Sequence, residues 1–123
     1  MQRVKRRLLY VEGYADTLLA ISLRLRMAGF DVATAESIEG GLDLARAGGY
    51  DLYLLAGILS DGMGLELCKM IRGFDTRTPI LFFSALVYPY DREAAIAAGA
   101  QEYLIKPNDL ERLEQAIAKL LGL

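Results

Sequence analysis

Short apolar runs alternate with longer amphipathic segments along the chain. Five runs have the length of a strand and are bounded by polar residues or glycine: 8–11, 30–35, 52–55, 80–83 and 103–105. Continuous apolar runs of this length are typical of strands buried on both faces, whereas residues 30–35 alternate loosely, as an outer strand does. The pattern therefore predicts five strands, of which the second lies at an edge.

The segments between these runs have the length and spacing of helices. They span residues 16–28, 38–47, 63–72, 92–98 and 109–121. Gly29, Gly48 and Gly99 directly follow three of them, and glycine is the residue most often found just past a helix. Alternation of strand and helix predicts an α/β fold, with a parallel sheet covered by helices on both faces.

The ends of the predicted strands are the places to look for chemistry. In open parallel sheets, ligands bind beyond the carboxyl ends of the strands, where the strand order reverses. The residues at those ends are Glu12, Gly13, Ala56, Gly57, Ser84, Ala85, Lys106 and Pro107. We expect several of them to meet at one edge of the sheet.

Composition narrows the classes of function. The chain has 123 residues, a net charge of −2 and no histidine, so histidine-based catalysis and histidine-containing metal sites are excluded. The basic start, Arg3, Lys5, Arg6 and Arg7, has no second basic cluster to accompany it, so we expect no nucleic-acid partner. No apolar run approaches the roughly 20 residues of a membrane span. We expect a single cytoplasmic domain over residues 1–123.

A second pattern is a set of short stretches that lie in or beside the predicted strands. It occupies residues 9–12, 51–55, 60–64, 78–85, 97–100 and 103–107. In this order and spacing, the stretches resemble the receiver domain of two-component response regulators, over essentially the whole chain. The resemblance implies a doubly wound (βα)5, flavodoxin-like fold, whose five-stranded parallel sheet has the strand order 2-1-3-4-5.

The resemblance also implies a phosphoryl-transfer site. In that family an aspartate after the third strand accepts a phosphoryl group from a histidine kinase, and two acidic residues after the first strand help to hold Mg²⁺. A Ser or Thr after the fourth strand and a Lys after the fifth bind the phosphoryl oxygens. An aromatic residue in the fifth strand acts as a switch.

This sequence matches that site only in part. The acceptor position falls on Ala56, which has no nucleophile, and the acidic pair falls on Glu12 and Gly13. The hydroxyl and the ammonium fall on Ser84 and Lys106, and the switch aromatic falls on Tyr103, which acts either as a switch or as a packing residue. Ser84 and Lys106 are either remnants without a present role or the basis of an anion site.

A charge count predicts the state of this pocket. The usual site carries three carboxylates and one lysine, whereas Glu12 and Lys106 sum to zero, which makes a poor Mg²⁺ site. We expect Lys106 to pair with Glu12, an attraction of about 4 kcal/mol before desolvation is subtracted. The degenerate pocket, formed by Glu12, Gly13, Ala56, Gly57, Ser84 and Lys106, is expected to hold no metal and no cofactor.

The leading functional hypothesis is a pseudo-receiver, a signalling module rather than an enzyme, that acts by binding proteins. Its partner would be a histidine kinase, an effector domain, another regulator or a second copy. The alternative is an atypical receiver that is still phosphorylated, or binds an anion, through Asp61, Ser60 or Glu12. A flavin or small-ligand binder is disfavoured because residues 12–15 lack a phosphate cradle rich in Ser, Thr and Gly.

Two apolar features are candidate partner surfaces. Leu19, Leu23 and Met27 recur at i, i+4 and i+8 in the first helix, on nearly the opposite side from the residues expected to face the sheet. They form either an exposed stripe or part of the core. Tyr88 and Tyr90 fall in a predicted loop after the fourth strand, which is either packed on itself or an aromatic contact surface.

Overall fold

A computed structural model describes residues 4–123, so Arg3 of the basic start lies outside the described residues. Apart from a short hairpin after the third strand, strands and helices alternate along the chain as the pattern predicts. The strands are β1 (Arg7–Val11), β2 (Asp31–Ala35), β3 (Leu52–Leu55), β4 (Ile58–Leu59), β5 (Gly62–Met63), β6 (Ile80–Ser84) and β7 (Glu102–Ile105). The helices are α1 (Ala15–Met27), α2 (Ile38–Ala47), α3 (Gly64–Arg72), α4 (Pro89–Ala97) and α5 (Leu113–Leu120), with a 3₁₀ turn at Leu110–Arg112.

Five of the strands form one parallel sheet in the order β2-β1-β3-β6-β7. Counted without the two short strands β4 and β5, this is the expected order 2-1-3-4-5, so the predicted fold class is confirmed. Tyr10 of β1 pairs with Thr34 on one side and with Leu54 on the other. The strand order thus reverses at β1, which opens a crevice at the carboxyl ends of β1 and β3.

The sheet separates two apolar layers. On one face, Leu9 and Phe82 pack with residues of α2, α3 and α4. On the other face, Leu8 and Phe83 pack with residues of α1 and α5. Because helices cover both faces, strands β1, β3 and β6 are apolar at nearly every position, and Ile80–Ser84 is buried throughout.

Three local features differ from the prediction. The last helix, predicted to begin at residue 109, begins at Leu113 after the 3₁₀ turn. β4 and β5 form an antiparallel hairpin of two-residue strands, which is too short to produce a periodic pattern. Helix α4 begins at Pro89 rather than at residue 92, because proline at the first helical position has the required φ and lacks the N–H that would be unpaired there. The prediction that Tyr90 lies in a loop is therefore wrong, and Tyr90 lies in the first turn of α4.

The apolar stripe on α1 is exposed to solvent. Leu19, Leu23 and Met27 have relative exposures of 68%, 55% and 81%, so they are not part of the core. Ile21 and Leu25 on the other side of the helix are buried against the sheet. Within residues 4–123, every helix falls short of the length and apolar character that crossing a membrane requires.

Asp75 organises the loop that leads from α3 into β6. Its carboxylate accepts hydrogen bonds from the Thr78 hydroxyl at 2.6 Å, the Tyr53 hydroxyl at 3.0 Å and the backbone N–H groups of Arg77 and Thr78, each at 3.0 Å. Desolvation raises the pKa of Asp75, but these hydrogen bonds outweigh it and lower the pKa from 3.8 to about 2. The loop therefore depends on an ionised carboxylate.

We expect Asp75→Ala to lower the free energy of unfolding at pH 7 by about 1–3 kcal/mol, because four donors lose their acceptor. Since the folded-state pKa is the lower one, the carboxylate's stabilising effect is complete above about pH 4 and is lost as the pH falls towards about 2. Urea unfolding at several pH values measures both effects. Asp43→Ala, at an exposed site in α2, is the control and should change stability by no more than about 0.5 kcal/mol. A loss at Asp75 that does not depend on pH would contradict this account.

Candidate functional site

Four of the predicted site residues lie at the carboxyl edge of the sheet. Glu12 and Ala56 follow β1 and β3, Ser84 is the last residue of β6, and Lys106 follows β7. Strand-like hydrogen bonds continue up to them: the N–H of Ala56 donates to Val11 at 2.9 Å, and the N–H of Lys106 donates to Ser84 at 2.8 Å. The sheet thus brings together residues that are far apart in the sequence.

Glu12 and Lys106 form the predicted ion pair. The Lys106 ammonium contacts Glu12 Oε1, and the exposures of the Glu12 and Lys106 side chains are only 1% and 16%. The Tyr10 hydroxyl also donates to Oε1, at 3.4 Å, and the backbone N–H of Tyr14 donates to Oε2 at 3.2 Å. Both carboxylate oxygens therefore have partners within the protein.

From the sequence pattern, Tyr10 is expected only to be an apolar strand residue. Its ring is fully buried, and its hydroxyl reaches the pocket because residues two apart in a strand lie on the same face. Burial, and then the negative charge of Glu12, raise the pKa of Tyr10 far above its usual range. A tyrosine two positions before an acidic residue is the signal that would have found this contact.

Gly13 lies beneath the hairpin of β4 and β5. A Cβ at this position would lie 2.9 Å from the carbonyl oxygen of Ile58 and 3.0 Å from Cα of Leu59, both of them backbone atoms. Any side chain at Gly13 would therefore require the hairpin backbone to move. At position 13 the hairpin backbone comes close to the chain, which is one of the situations that favour glycine.

Ser84 and Tyr103 form their hydrogen bonds with the loop after β6 and not with Lys106. The buried Ser84 Oγ accepts the N–H of Leu86 at 3.1 Å, and the Tyr103 hydroxyl donates to the carbonyl of Leu86 at 2.7 Å. The Tyr103 ring stacks on Phe82 with centroids 5.6 Å apart and is only 5% exposed. Burial is the main cause that raises the pKa of Tyr103.

Ala56 places a buried methyl group in the centre of this edge, with 1% exposure. Nowhere in residues 4–123 do three or more His, Cys, Asp or Glu side chains come together as metal ligands. The carboxylate of Glu12 is already paired with an ammonium. The residues present therefore do not fit the Mg²⁺ site that the resemblance implies.

The cavity beside Gly57, between the hairpin and α4, is small. Its volume is about 40 Å³, and it is lined mainly by apolar side chains, including those of Phe82 and Leu86. Pockets for organic ligands usually have volumes of about 300–1,000 Å³. This cavity therefore gives no support to a flavin or small-ligand binder.

Comparison with known proteins identifies the family. The family model named response regulator receiver domain matches residues 8–118 of this chain. The chain belongs to this family. This chain is 36% identical, over 114 residues, to the response regulator ArlR of Staphylococcus epidermidis. The match covers 93% of this chain and 52% of that protein. It is 34% identical to ArlR of Staphylococcus aureus, with the same coverage. The chain thus spans about half the length of these curated relatives.

Solved structures show the same fold. A two-component response regulator from Clostridium difficile superposes with a TM-score of 0.89 at 30% identity, covering 96% of this chain and 97% of that one. The non-phosphorylated HemR receiver domain from Leptospira biflexa gives a TM-score of 0.89 at 28% identity, covering 97% and 96% of the two chains. The fold and family are thus those expected of a two-component receiver.

In this receiver domain, Asp61 caps a helix. Its carboxylate accepts the backbone N–H of Ile38 at 2.6 Å and that of Glu39 at 3.2 Å, the first two residues of α2. The hydrogen bond from Ile38 is the main cause that lowers the pKa of Asp61. The Ser37 hydroxyl accepts a third N–H of the same turn, from Gly40 at 2.9 Å. Nothing local in the sequence links Asp61 to a helix that begins 23 residues earlier.

Lys106→Met should lower the free energy of unfolding by about 3–5 kcal/mol, because it leaves the buried carboxylate of Glu12 without its cation. The double variant Glu12→Gln/Lys106→Met should lose less, since no buried charge then remains unpaired. Urea unfolding at pH 7 measures both losses.

Arg112→Met provides the matched control. Arg112 pairs with Asp109 at 3.3 Å, but its side chain is 63% exposed. Breaking such a surface pair should cost no more than about 1 kcal/mol. If Lys106→Met cost as little as Arg112→Met, the buried pair would not have the structural role assigned to it.

Proposed function

We propose that this chain is a pseudo-receiver: a two-component receiver domain that accepts no phosphoryl group and signals by binding other proteins. The observation that carries the proposal is the buried methyl group of Ala56 directly after β3, beside the closed Glu12–Lys106 ion pair. An acyl phosphate forms only on a carboxylate oxygen, which alanine lacks. We further propose that residues 1–123 act as one receiver-like domain in the cytoplasm.

The electrostatics of the pocket support this function. Phosphoryl transfer needs a cation to neutralise the charge that develops on the phosphoryl oxygens. Here the acidic residue available for a cation, Glu12, is neutralised by Lys106, and Lys106 is thereby occupied as well. Gly13 cannot gain a carboxylate without moving the backbone of Ile58 and Leu59. The pocket is thus organised as a structural ion pair.

The contacts of the alternative acceptors also favour this proposal. Asp61 has both carboxylate oxygens engaged by the first turn of α2. Glu12 is buried and paired. Ser60 is exposed in the hairpin, and its backbone N–H donates to Glu36 at 3.0 Å. None of the three combines a free carboxylate with the ammonium of Lys106.

Binding surfaces are proposed where apolar side chains are exposed. Leu19, Leu23 and Met27 form one such surface on α1. Tyr88 and Tyr90, which are 60% and 65% exposed, form the other at the start of α4. The partners proposed are a histidine kinase, an effector domain, another regulator or a second copy of this chain. Nucleic acid and membrane are not proposed as partners.

Incubation of the wild-type chain with acetyl phosphate and Mg²⁺ should give no phosphoryl adduct, because no suitable carboxylate is available. Intact-protein mass spectrometry at neutral pH measures the adduct, and a receiver domain that retains its aspartate serves as the positive control. Amide NMR should also show no saturable shifts at Glu12, Gly57, Ser84 and Lys106 when Mg²⁺ and beryllofluoride are added.

A stable adduct on the wild-type chain would overturn the proposal. Asp61→Asn would then test the alternative acceptor, with Asp16→Asn as a matched control at an exposed carboxylate. Loss of the adduct in Asp61→Asn alone would assign phosphorylation to Asp61.

Leu23→Ser should leave the free energy of unfolding within about 0.5 kcal/mol of wild type, because Leu23 is exposed. Leu25→Ala, two residues away but fully buried, should lose about 2–5 kcal/mol. If a second copy occupies the α1 surface, sedimentation velocity will show wild-type self-association that Leu23→Ser weakens. A wild-type chain that stays monomeric at the highest concentration would exclude the homodimer.

A further inference from the structure

The charged side chains of the helices are divided between the two edges of the sheet. Each helix that joins two parallel strands runs back against them, so it begins at the carboxyl edge and ends at the amino edge. The first turns of the helices carry acidic residues, which are Asp16, Glu39, Glu66, Asp91 and Glu114. The last turns of α1, α2, α3 and α5 carry basic residues, which are Arg24, Arg26, Arg46, Lys69, Arg72 and Lys119. Helix dipoles favour this placement.

Charged residues outside the helices follow the same division. Lys5 and Arg6 precede β1 and Arg77 precedes β6, so these three cations lie at the amino edge. Glu36 directly follows β2 and Glu111 lies in the 3₁₀ turn after β7, so both lie at the carboxyl edge. Helix dipoles do not account for the three cations, because they precede strands. The division of charge is therefore a property of the whole domain.

Contacts connect the ends of different helices at the amino edge. Arg7 Nη1 donates to the carbonyl of Gly49, just after α2, at 3.3 Å, and its guanidinium lies 4.8 Å from the centroid of the Tyr50 ring. The guanidinium of Arg46, in the last turn of α2, lies 5.9 Å from the centroid of the Phe74 ring, just after α3. Cations that are far apart in the sequence thus share one surface, and no single run of basic residues indicates it.

The same edge has a groove beside the segment that precedes β1. Its volume is about 630 Å³, and it lies between residues 4–6, residues 28–30 and residue 123. Lys5 and Arg6 supply positive charge to this groove, and Phe30, which is 9% exposed, supplies an apolar wall. The amino edge therefore offers a concave surface as well as positive charge.

Most exposed charges at the two edges have no ion-pair partner. Among residues 4–123, the cations in ion pairs are Arg7, Arg24, Lys106 and Arg112. The basic edge is formed by exposed cations outside these pairs: Lys5, Arg6, Arg46, Lys69, Arg77 and Lys119. The acidic edge is formed by exposed carboxylates outside these pairs: Asp16, Glu36, Glu39, Asp61, Glu66 and Glu111. Like charges repel within each edge, so each edge is stabilised by opposite charges from another molecule.

We propose that copies of this chain associate head to tail, with the acidic edge of one copy against the basic edge of the next. The charge complementarity identifies a second copy as the partner, because this chain carries both surfaces. Its net charge of −2 disfavours a polyanion such as nucleic acid at the basic edge. The contact joins two different surfaces, so it repeats along a line rather than closing into a dimer. The inference rests on the proposed function in one respect, that a second copy is a partner.

Sedimentation velocity of the wild-type chain at pH 7 tests the association. In about 0.01 M salt, where the Debye length is about 30 Å, species larger than a dimer should form as the protein concentration rises. In about 1 M salt, where the Debye length is about 3 Å, the chain should sediment as a monomer. A wild-type chain that stays monomeric in low salt at the highest concentration would overturn the proposal.

Two charge-reversed variants test which surfaces meet. Arg6→Glu/Arg77→Glu weakens the basic edge, and Glu36→Lys/Glu111→Lys weakens the acidic edge. Each variant alone should associate roughly tenfold more weakly than wild type, because like charges then face each other. A mixture of the two should associate again, since one variant retains the wild-type acidic edge and the other the wild-type basic edge. Unchanged association of either variant alone, or no association of the mixture, would contradict the head-to-tail contact.

Controls separate this contact from other surfaces and partners. Asp43→Lys reverses an exposed charge in the middle of α2, between the two edges, and should leave the association unchanged. Association that Leu23→Ser abolishes and the edge variants retain would assign the contact to α1 and overturn the proposal. Binding of duplex DNA by a chain that does not self-associate would assign the basic edge to nucleic acid and also overturn it. A phosphoryl adduct on the wild-type chain would refute the proposed function and leave a measured head-to-tail association standing.

Discussion

The constraint on which this structure depends is that a charged side chain buried at the end of a central strand must find its partner within the protein. Glu12 follows β1 and is fully buried, so its charge requires a partner within the protein. That partner, Lys106, follows β7, which lies three strand spacings of about 4.8 Å away in the sheet. The two intervening strand ends carry only the small side chains of Ala56 and Ser84. The small residues in the centre and the long lysine side chain at the edge together allow the Glu12–Lys106 pair to form.

The same pair links the fold to the proposed function. In a receiver pocket that takes part in phosphoryl transfer, the charged side chains remain available for a metal and a phosphoryl group. In this pocket, Glu12 and Lys106 neutralise each other. Tyr10 and the N–H of Tyr14 complete the partners of Glu12, so the site is organised as part of the core. In the proposed function, signalling then depends on surfaces outside the pocket, the α1 stripe and the tyrosines at the start of α4.

Glycines mark the places where the backbone closes over the pocket. Gly13 allows the hairpin of β4 and β5 to approach β1, and Gly57 allows the Ser84 hydroxyl to face Leu86. Neither glycine has a positive φ, so close approach rather than backbone strain explains them. The pocket lacks side chains at these two positions because neighbouring atoms occupy their space.

The sequence by itself determined the five sheet strands and their order, the meeting of Glu12, Ala56, Ser84 and Lys106 at one edge, and the ion pair. The strands follow from periodicity, the strand order from the resemblance to the family, and the ion pair from a charge count over the positions that the resemblance brings together. The tertiary structure alone decided which atoms complete each site: the Tyr10 hydroxyl on Glu12, Asp61 on the first turn of α2, and both bonds to Leu86. It also revealed the hairpin, whose two-residue strands have no period to detect. Contacts between side chains and distant backbone groups depend on how the elements pack, and no local pattern records that packing.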